Sequence, residues 1–168
     1  MGLCDDDTAT PAPTSAKPPT IDQDALSVVE FGWGFAFLPP PGWVRRVDTD
    51  RAMVLPVDNA TENVNMFMKA LDHVPTIEDF AARSIESLRS RLPGCSLSGR
   101  LHRSLAGVDA YQVDYAATDR GERLRGRQVF VVHGNVAITA TYVAREAKFD
   151  EHLDAYDAIL DTFQLIAP

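Results

Sequence analysis

The chain has 168 residues, of which 45% are hydrophobic and 24% charged, and this length predicts one domain of ordinary size. Sixteen Lys and Arg against 24 Asp and Glu give a net charge of −8, which disfavours general nucleic-acid binding because phosphate contacts need a basic face. No run of roughly 18 or more apolar residues predicts a transmembrane helix. The two cysteines cannot form a disulfide framework, and their spacing is not that of a zinc site.

The first 24 residues differ in composition from the rest of the chain. They contain four prolines, no aromatic residue and the acidic run Asp5-Asp6-Asp7. Such a segment buries too little apolar surface to offset its ordering entropy. Residues 1–24 are therefore predicted to be a disordered tether, and residues 25–168 one folded domain.

The first half of the predicted domain contains strands and one helix. An aromatic and β-branched run at 28–38, a short apolar run at 52–57 and an alternating run at 64–71 predict strands. From Thr76 to Leu92, apolar residues at spacings of three and four predict a helix with Thr76 as its N-cap. The residues predicted to face inward are Ile77, Phe80, Ala81, Ile85, Leu88 and Leu92.

The second half is predicted to be an antiparallel meander followed by a helix. Four alternating segments joined by short turns are Cys95–Leu105, Val108–Ala117, Glu122–Val132 and Val136–Ala144. An amphipathic helix follows from Phe149 to Phe163, and its predicted inward side is Phe149, Leu153, Tyr156, Ile159, Leu160 and Phe163. The order of elements predicts an α+β fold, in which N-terminal strands and the meander form an antiparallel sheet and both helices pack on it.

Several local strings resemble the PsbP-like fold and, within it, the DcrB and LpqN type of bacterial lipoprotein. The strings are Phe35-Ala36-Phe37-Leu38-Pro39 with Gly42-Trp43, Asn63-Val64-Asn65-Met66-Phe67, Thr76-Ile77-Glu78-Asp79-Phe80, Leu105-Ala106-Gly107-Val108-Asp109-Ala110-Tyr111, Gly126-Arg127-Gln128-Val129-Phe130 and Phe149-Asp150. These are turns, caps and core positions, so they indicate a fold more than a function. The resemblance implies a protein that binds other proteins, lipids or glycolipids and is not an enzyme.

Cys4 and the tail that follows it resemble the start of a mature bacterial lipoprotein. The resemblance implies a diacylglyceryl anchor on Cys4 that holds the protein to a membrane on its extracytoplasmic side. No basic and apolar signal segment precedes Cys4, and Leu3 stands where a small residue is expected. The hypothesis therefore expects the signal to be missing from this sequence. The alternative is a cytoplasmic protein in which Cys4 is incidental.

Residues that could support catalysis do not form a recognised pattern. The four histidines form no H-x-x-x-H or H-E-x-x-H pair, and neither a G-x-S-x-G motif nor a P-loop is present. Cys95 has no histidine close in sequence to activate its thiol. We therefore expect no enzymatic activity, no cofactor and no metal.

Four aromatic residues alternate from Phe31 to Phe37 and would share one strand face. Packing in the core is one interpretation. The other is that Trp33 or Trp43 lies at the rim of the core and lines a groove for an acyl chain or an apolar peptide. Gly32 and Gly34 would leave the opposite face bare for the close approach of a ligand or partner.

Three arginines, Arg123, Arg125 and Arg127, alternate in the third meander segment and would also share one face. One interpretation is a solvated face on which they pair with Asp114 or other carboxylates. The alternative is a local anion site for lipid head groups or an acidic partner.

Together these observations predict a non-catalytic cell-envelope lipoprotein. It would bind either an amphiphilic ligand (a lipid or glycolipid) or a partner protein. The candidate ligand-binding residues are Trp33, Trp43, Arg123, Arg125 and Arg127, and Cys4 is the candidate lipidation site. Its predicted partners are a membrane, reached through the lipid anchor, and a lipid or protein, but not nucleic acid. The alternative function is a cytoplasmic Eag-type chaperone that shields hydrophobic segments of a type VI secretion effector.

Overall fold

A computed structural model of the chain describes residues 34–40, 43–47, 51–56, 63–92 and 94–166. The predicted tether, residues 1–24, lies outside these described residues, so its prediction stays a prediction. The elements in chain order are β1 (Phe35–Ala36), β2 (Trp43–Val47), β3 (Arg51–Pro56), β4 (Asn63–Ala70), α1 (Ile77–Arg91), β5 (Ser96–Leu105), β6 (Val108–Asp119), β7 (Glu122–His133), β8 (Val136–Arg145), a 3-10 helix (Glu146–Glu151), α2 (Leu153–Asp161) and β9 (Gln164–Leu165).

The main sheet has seven antiparallel strands in the order β2-β3-β4-β8-β7-β6-β5. The predicted meander is confirmed, because β5, β6, β7 and β8 are consecutive neighbours in the sheet. The N-terminal strands extend it past β8, where β4 pairs in a register that runs from Asn63 opposite Val143 to Ala70 opposite Val136. The α+β class is therefore as predicted.

Two-residue turns fix the first two hairpins of the meander. Ala106 and Gly107 join β5 to β6, and Arg120 and Gly121 join β6 to β7. All four residues have positive φ, from 49° at Arg120 to 85° at Gly121. This is the geometry of type I′ turns, whose twist matches that of the flanking strands. The turns predicted at these positions are confirmed.

Helix α1 begins and ends close to its predicted limits. The backbone N–H of Asp79 donates to Thr76 Oγ1 at 3.1 Å, so the predicted N-cap is confirmed. Acidic side chains occupy the first turn and Arg89 and Arg91 the last, which complements the helix dipole. The inward side is also as predicted, with Ala81, Ile85 and Leu88 buried and Ile77, Phe80 and Leu92 partly buried against the sheet.

The C-terminal helix predicted for Phe149–Phe163 is interrupted, and this is a correction. A 3-10 helix ends at Glu151, and α2 begins at Leu153 after a break at His152. Near this break, the Tyr142 hydroxyl of β8 donates to the Phe149 carbonyl oxygen at 3.0 Å. In a continuous α-helix that oxygen would accept from the N–H four residues later. The inward residues Phe149, Tyr156, Ile159, Leu160 and Phe163 are buried and Leu153 is partly buried against the same core, as predicted.

The first predicted strand, 28–38, is much shorter in its described part. Only Phe35–Ala36 form a strand there, and it pairs with β9 rather than with the main sheet. Leu38 instead donates its N–H to Thr162 Oγ1 at 2.9 Å, and Pro39, which has no N–H, follows. Residues 28–33 lie outside the described residues. The short strand β9 was not predicted, because its two residues carry no periodic signal.

The sheet is covered by helices on both faces. The α2 face, on which Val129 and Ala140 project, packs against α2, the 3-10 helix and β1 to form the larger core. The α1 face, on which Val113 and Phe130 project, packs against α1 in two smaller clusters. Within the described ranges, neither helix is long and apolar enough to cross a membrane. The two faces of the sheet are therefore covered by different elements.

Candidate functional site

The three predicted arginines project from the α2 face of β7 and are paired with carboxylates. Arg123 contacts Glu146 at 2.9 Å, and Arg125 contacts Asp150 at 3.2 Å. The Arg125 guanidinium also lies 4.3 Å from the centroid of the Phe149 ring, in a cation–π contact. These arginines therefore attach the 3-10 helix to the sheet. Their predicted role toward a ligand stays a prediction.

Arg127 is the most enclosed of the three, with a side chain 17% exposed. Its guanidinium donates to both carboxylate oxygens of Asp114, at 2.8 and 3.0 Å. A longer contact of 3.4 Å reaches Asp157 of α2. The hydrogen bond with Asp114 raises the pKa of Arg127, whereas burial raises the pKa of Asp157 despite its arginine neighbour. The Asp114 contact is therefore the stronger one, and it is the pairing that one sequence interpretation expected.

The predicted tryptophans and arginines do not meet in one site within the described residues. Trp43 is half-buried in β2, where its ring lies edge-on to the His152 ring with centroids 5.7 Å apart. Strands β3, β4 and β8 separate β2 from the arginines of β7. Trp33 and Cys4 lie outside the described residues. Phe35 and Phe37 are buried and stacked on each other in the larger core, which favours the core interpretation for these two rings.

The α1 face carries a groove that the sequence interpretation did not include. Its volume is about 740 Å³, and it lies beside α1 over strands β8 and β4. Helix α1 packs on β6 and β7, so one flank of the helix forms a wall of the groove. The residues of that wall are Phe80, Arg83, Ser84, Ser87, Leu88 and Arg91. The two serines are small and leave room beside the helix.

Two cross-strand rows form the floor of this groove. The aromatic row consists of Phe67, Thr139 and Phe130, which lie opposite one another on β4, β8 and β7. The polar row lies two residues away from the aromatic row on each of these strands. It consists of Asn65, Thr141 and Gln128. Phe67 is 40% exposed, which is unusual for a large apolar ring on a sheet. The floor is therefore apolar in one part and hydrogen-bonding in the next.

One acceptor in the polar row has no partner among the described residues. The Asn65 side-chain nitrogen donates to Asn63 Oδ1, but its own Oδ1 is buried without a hydrogen bond. A buried acceptor left unpaired costs about 1–3 kcal/mol. In the same row, Gln128 Nε2 donates to Thr141 Oγ1 at 3.2 Å. The polar row therefore contains one buried acceptor that no described side chain satisfies.

The charges that line the groove are mostly positive. Lys69, Arg83 and Arg91 line it, together with one carboxylate, that of Asp72. Within the described residues, none of the three cations has a carboxylate within 4.0 Å, in contrast to the arginines of β7. The groove is therefore a locally cationic surface on a protein whose net charge is −8.

The residues of the groove carried a weak signal in the sequence. In β4, Val64, Met66 and Met68 form the predicted inward face, and the alternate residues Asn65, Phe67 and Lys69 project from the other face. Among the latter, Phe67 breaks an otherwise polar series, and such a break indicates an exposed apolar contact. The helix flank gave no signal, because Arg83, Ser84 and Ser87 have the composition of an ordinary solvated helix side.

Sequence comparisons find no relatives, whereas structural comparison finds several. The chain matches no family model and no curated protein. PsbP of the cyanobacterium Synechocystis sp. PCC 6803 (CyanoP) is 16% identical, with a TM-score of 0.62 over 82% of this chain and 90% of that one.

Two bacterial structures have a similar architecture. LpqN of Mycobacterium tuberculosis, involved in cell envelope biogenesis, is 13% identical with a TM-score of 0.62 over 79% of this chain and 83% of its own. PA94 of Pseudomonas aeruginosa, a protein of unknown function, is 19% identical with a TM-score of 0.53 over 76% of this chain and 98% of its own. At such identities the likeness shows the fold alone. Membership of the DcrB type stays a prediction. The chain has a PsbP-like fold.

Proposed function

We propose that the protein is a non-catalytic binding protein whose α1-face groove holds an amphiphilic ligand. The observation that carries the proposal is the pair of rows on the groove floor. An exposed aromatic ring, Phe67, lies beside a polar row in which Asn65 Oδ1 is an unpaired acceptor. An aliphatic chain could pack on the first, and a polar head could lie over the second.

The size of the groove supports a small molecule as the ligand. Sites for small ligands enclose about 300–1,000 Å³, and the groove, at about 740 Å³, falls within that range. The surface area that lines the groove is more apolar than polar, which is also typical of such sites. The candidate residues of the α2 face, Trp43 and the β7 arginines, already pack or pair within the domain. This favours the α1 face as the binding surface.

We expect Phe67→Ala to weaken binding of a single-chain lipid about tenfold, because it removes an apolar contact of one large side chain. The probe is lysophosphatidylglycerol below its critical micelle concentration, and the measurement is isothermal titration calorimetry. Leu101→Ala is the matched control, because Leu101 is 47% exposed on β5 and does not line the groove. Binding that is unchanged in Phe67→Ala, or weakened equally in both variants, would place the ligand elsewhere.

We further propose that the protein acts in the cell envelope, anchored through Cys4. The tail composition supports this, as does the structural likeness to LpqN, a protein involved in cell envelope biogenesis. An extracytoplasmic binding protein on a flexible tether could reach ligands in or near the membrane to which it is anchored.

The anchor predicts that protein expressed from its full genomic reading frame fractionates with membranes and carries the added mass of a diacylglyceryl group. Cys4→Ala should abolish both the mass increase and the membrane association, whereas Cys95→Ala should change neither. Native mass spectrometry and fractionation measure the two properties. An unmodified protein that begins at Met1 and remains in the cytoplasm would contradict the anchor and favour the Eag-type chaperone.

A further inference from the structure

We propose that the edge strand β5 is a dimer interface, at which a second copy of the chain adds its own β5 in the antiparallel direction. Within the described residues, β5 is the last strand of the main sheet and pairs only with β6. None of its residues lines the groove, so this surface is separate from the proposed binding site. The backbone of the strand, one exposed leucine and the neighbouring charges carry the proposal.

The outer edge of β5 presents backbone hydrogen-bonding groups in a regular series. The two-residue turn after β5 makes Leu105 and Val108 a hydrogen-bonded pair. Hydrogen-bonded and non-hydrogen-bonded pairs then alternate, in a register that is unbroken back to the bulge near the start of β5. The N–H and C=O groups of Arg100 and His102 therefore point away from β6. Such an edge is a template for another strand.

Leu101 is the exposed apolar residue in the middle of this edge. Its side chain is 47% exposed. It lies opposite Gln112, whose side chain donates to Asp114 on the α2 face of the sheet. Since its own N–H and C=O groups face β6, Leu101 would occupy a non-hydrogen-bonded site toward an added strand, where opposite side chains are closest. Two copies of Leu101 placed opposite each other would cover each other.

The charges of β5 favour this register over its neighbours. With the leucines opposite each other, Arg100 faces the second copy's His102, and Arg103 faces the second copy's Gly99. A slide of two residues in one direction would place Arg100 opposite the second copy's Arg100, and like charges directly opposite are destabilising. A slide of two residues in the other direction would place each leucine opposite an arginine. The register with paired leucines avoids both arrangements.

Glu78 of α1 supplies a carboxylate for the arginine of the second copy. Its Oε1 lies 3.8 Å from Nδ1 of His102, and the His102 ring lies edge-on to Tyr111 with centroids 4.8 Å apart. The second copy's Arg100, directly opposite His102 and on the same face, would therefore reach the Glu78 carboxylate. Two-fold symmetry forms this contact twice.

The resulting dimer has one continuous sheet with a two-fold axis perpendicular to it. Both α1 faces then lie on the same side, so the two grooves open in the same direction. The shared stretch of β5 is short, because the bulge limits it at one end and the turn at Ala106-Gly107 at the other. We expect a weak, reversible dimer with a dissociation constant of roughly 100 µM.

Sedimentation equilibrium of the full chain, from about 10 µM to about 1 mM, tests the dimer. We expect Leu101→Lys to weaken the dimer at least about tenfold, because it places like charges opposite each other. Val74→Lys is the matched control, because it adds the same charge at an apolar residue that is 61% exposed in the segment before α1. A chain that stays monomeric over this range, or a dimer that Leu101→Lys weakens no more than Val74→Lys does, would overturn the proposal.

Disulfide cross-linking tests the register, in a chain whose Cys4 and Cys95 are both replaced by serine. Leu101→Cys should form a cross-linked dimer under mild oxidation, since opposite Cβ atoms at a non-hydrogen-bonded site are about 4.5–5.5 Å apart. Arg103→Cys is the matched control on the same face of the same strand, and it should cross-link far more slowly because it faces the second copy's Gly99. Cross-linking that is as fast in Arg103→Cys as in Leu101→Cys would overturn the proposed register.

Discussion

Gly126→Ala should lower the free energy of unfolding by about 3 kcal/mol, because a Cβ at this position overlaps the ring of Tyr115. Tyr115 lies directly opposite on β6, and its ring is buried beneath Leu88 of α1. Neither the ring nor the central strand β7 can move without disturbing the contact between α1 and the sheet. Urea unfolding measures the loss.

The control for this substitution is Gly99→Ala on the edge strand β5. A Cβ there would lie 3.5 Å from the nearest atom, Asp114 Oδ2, at ordinary contact distance. Both glycines lie in strands without a positive φ, so the two variants differ mainly in the space available. An equal loss of stability in the two would contradict the steric explanation and point to a general cost of alanine in these strands.

A spectroscopic measurement tests the same contact. Burial raises the pKa of Tyr115 to about 12, with a smaller contribution from the neighbouring Cys95 thiol. A ring displaced by the new methyl group would become more exposed, so its pKa should fall toward the ordinary value near 10. Phenolate absorbance across alkaline pH follows this change, and Gly99→Ala should leave it unaltered.

Local signals in the sequence predicted those elements whose limits are set by residues within them. Helix α1 has its cap at Thr76, its apolar spacing and its basic last turn in one continuous stretch. The hairpins carry their turns at Ala106-Gly107 and Arg120-Gly121. Such signals do not depend on the rest of the fold, and these predictions were confirmed.

Features that depend on contacts between distant residues were not predicted. The break before α2 involves the hydroxyl of Tyr142, which lies on another element and takes the Phe149 carbonyl as its acceptor. The groove depends on which strands α1 covers, and the amphipathic pattern of a helix specifies its buried side but not its position across the sheet. Phe67 stands out in β4 only as an apolar residue in an outward polar series, and the register is needed to place it with Asn65 beside β8 and α1.

Arginines on the two faces of the sheet differ in whether they are paired. On the α2 face, Arg125 pairs with Asp150 and Arg127 with Asp114, so their charges are balanced by carboxylates within the domain. On the α1 face, Arg83 and Arg91 have no such partners among the described residues. Alternation along β7 indicated that its arginines share a face and could pair with Asp114, but the pairing of Arg123 and Arg125 with the 3-10 helix depends on the tertiary fold. Charge left without a partner beside an apolar groove is the better indicator of a binding surface.

Phe35→Ala should lower the free energy of unfolding by about 4 kcal/mol, because it removes a fully buried ring where β1 meets β9. The Phe35 ring stacks on Phe163 with centroids 5.5 Å apart and on Phe37 at 6.3 Å. Its backbone pairs with Leu165 of β9, and the N–H of Ile166 donates to the Gly34 carbonyl at 2.8 Å. The cavity left by the ring would weaken the attachment of β1 to α2 and β9. Urea unfolding at neutral pH measures the effect.

Phe67→Ala is the matching substitution on the α1 face, so its comparison with Phe35→Ala contrasts the two faces of the sheet. Phe67 is 40% exposed, so its removal should cost well under half as much stability as that of Phe35 while weakening lipid binding. Phe35→Ala, kept below its unfolding transition, should bind lysophosphatidylglycerol as the unaltered protein does, because Phe35 does not line the groove. If Phe35→Ala lost binding while still folded, or Phe67→Ala lost stability to the same degree, the proposed division between a structural α2 face and a binding α1 face would be wrong.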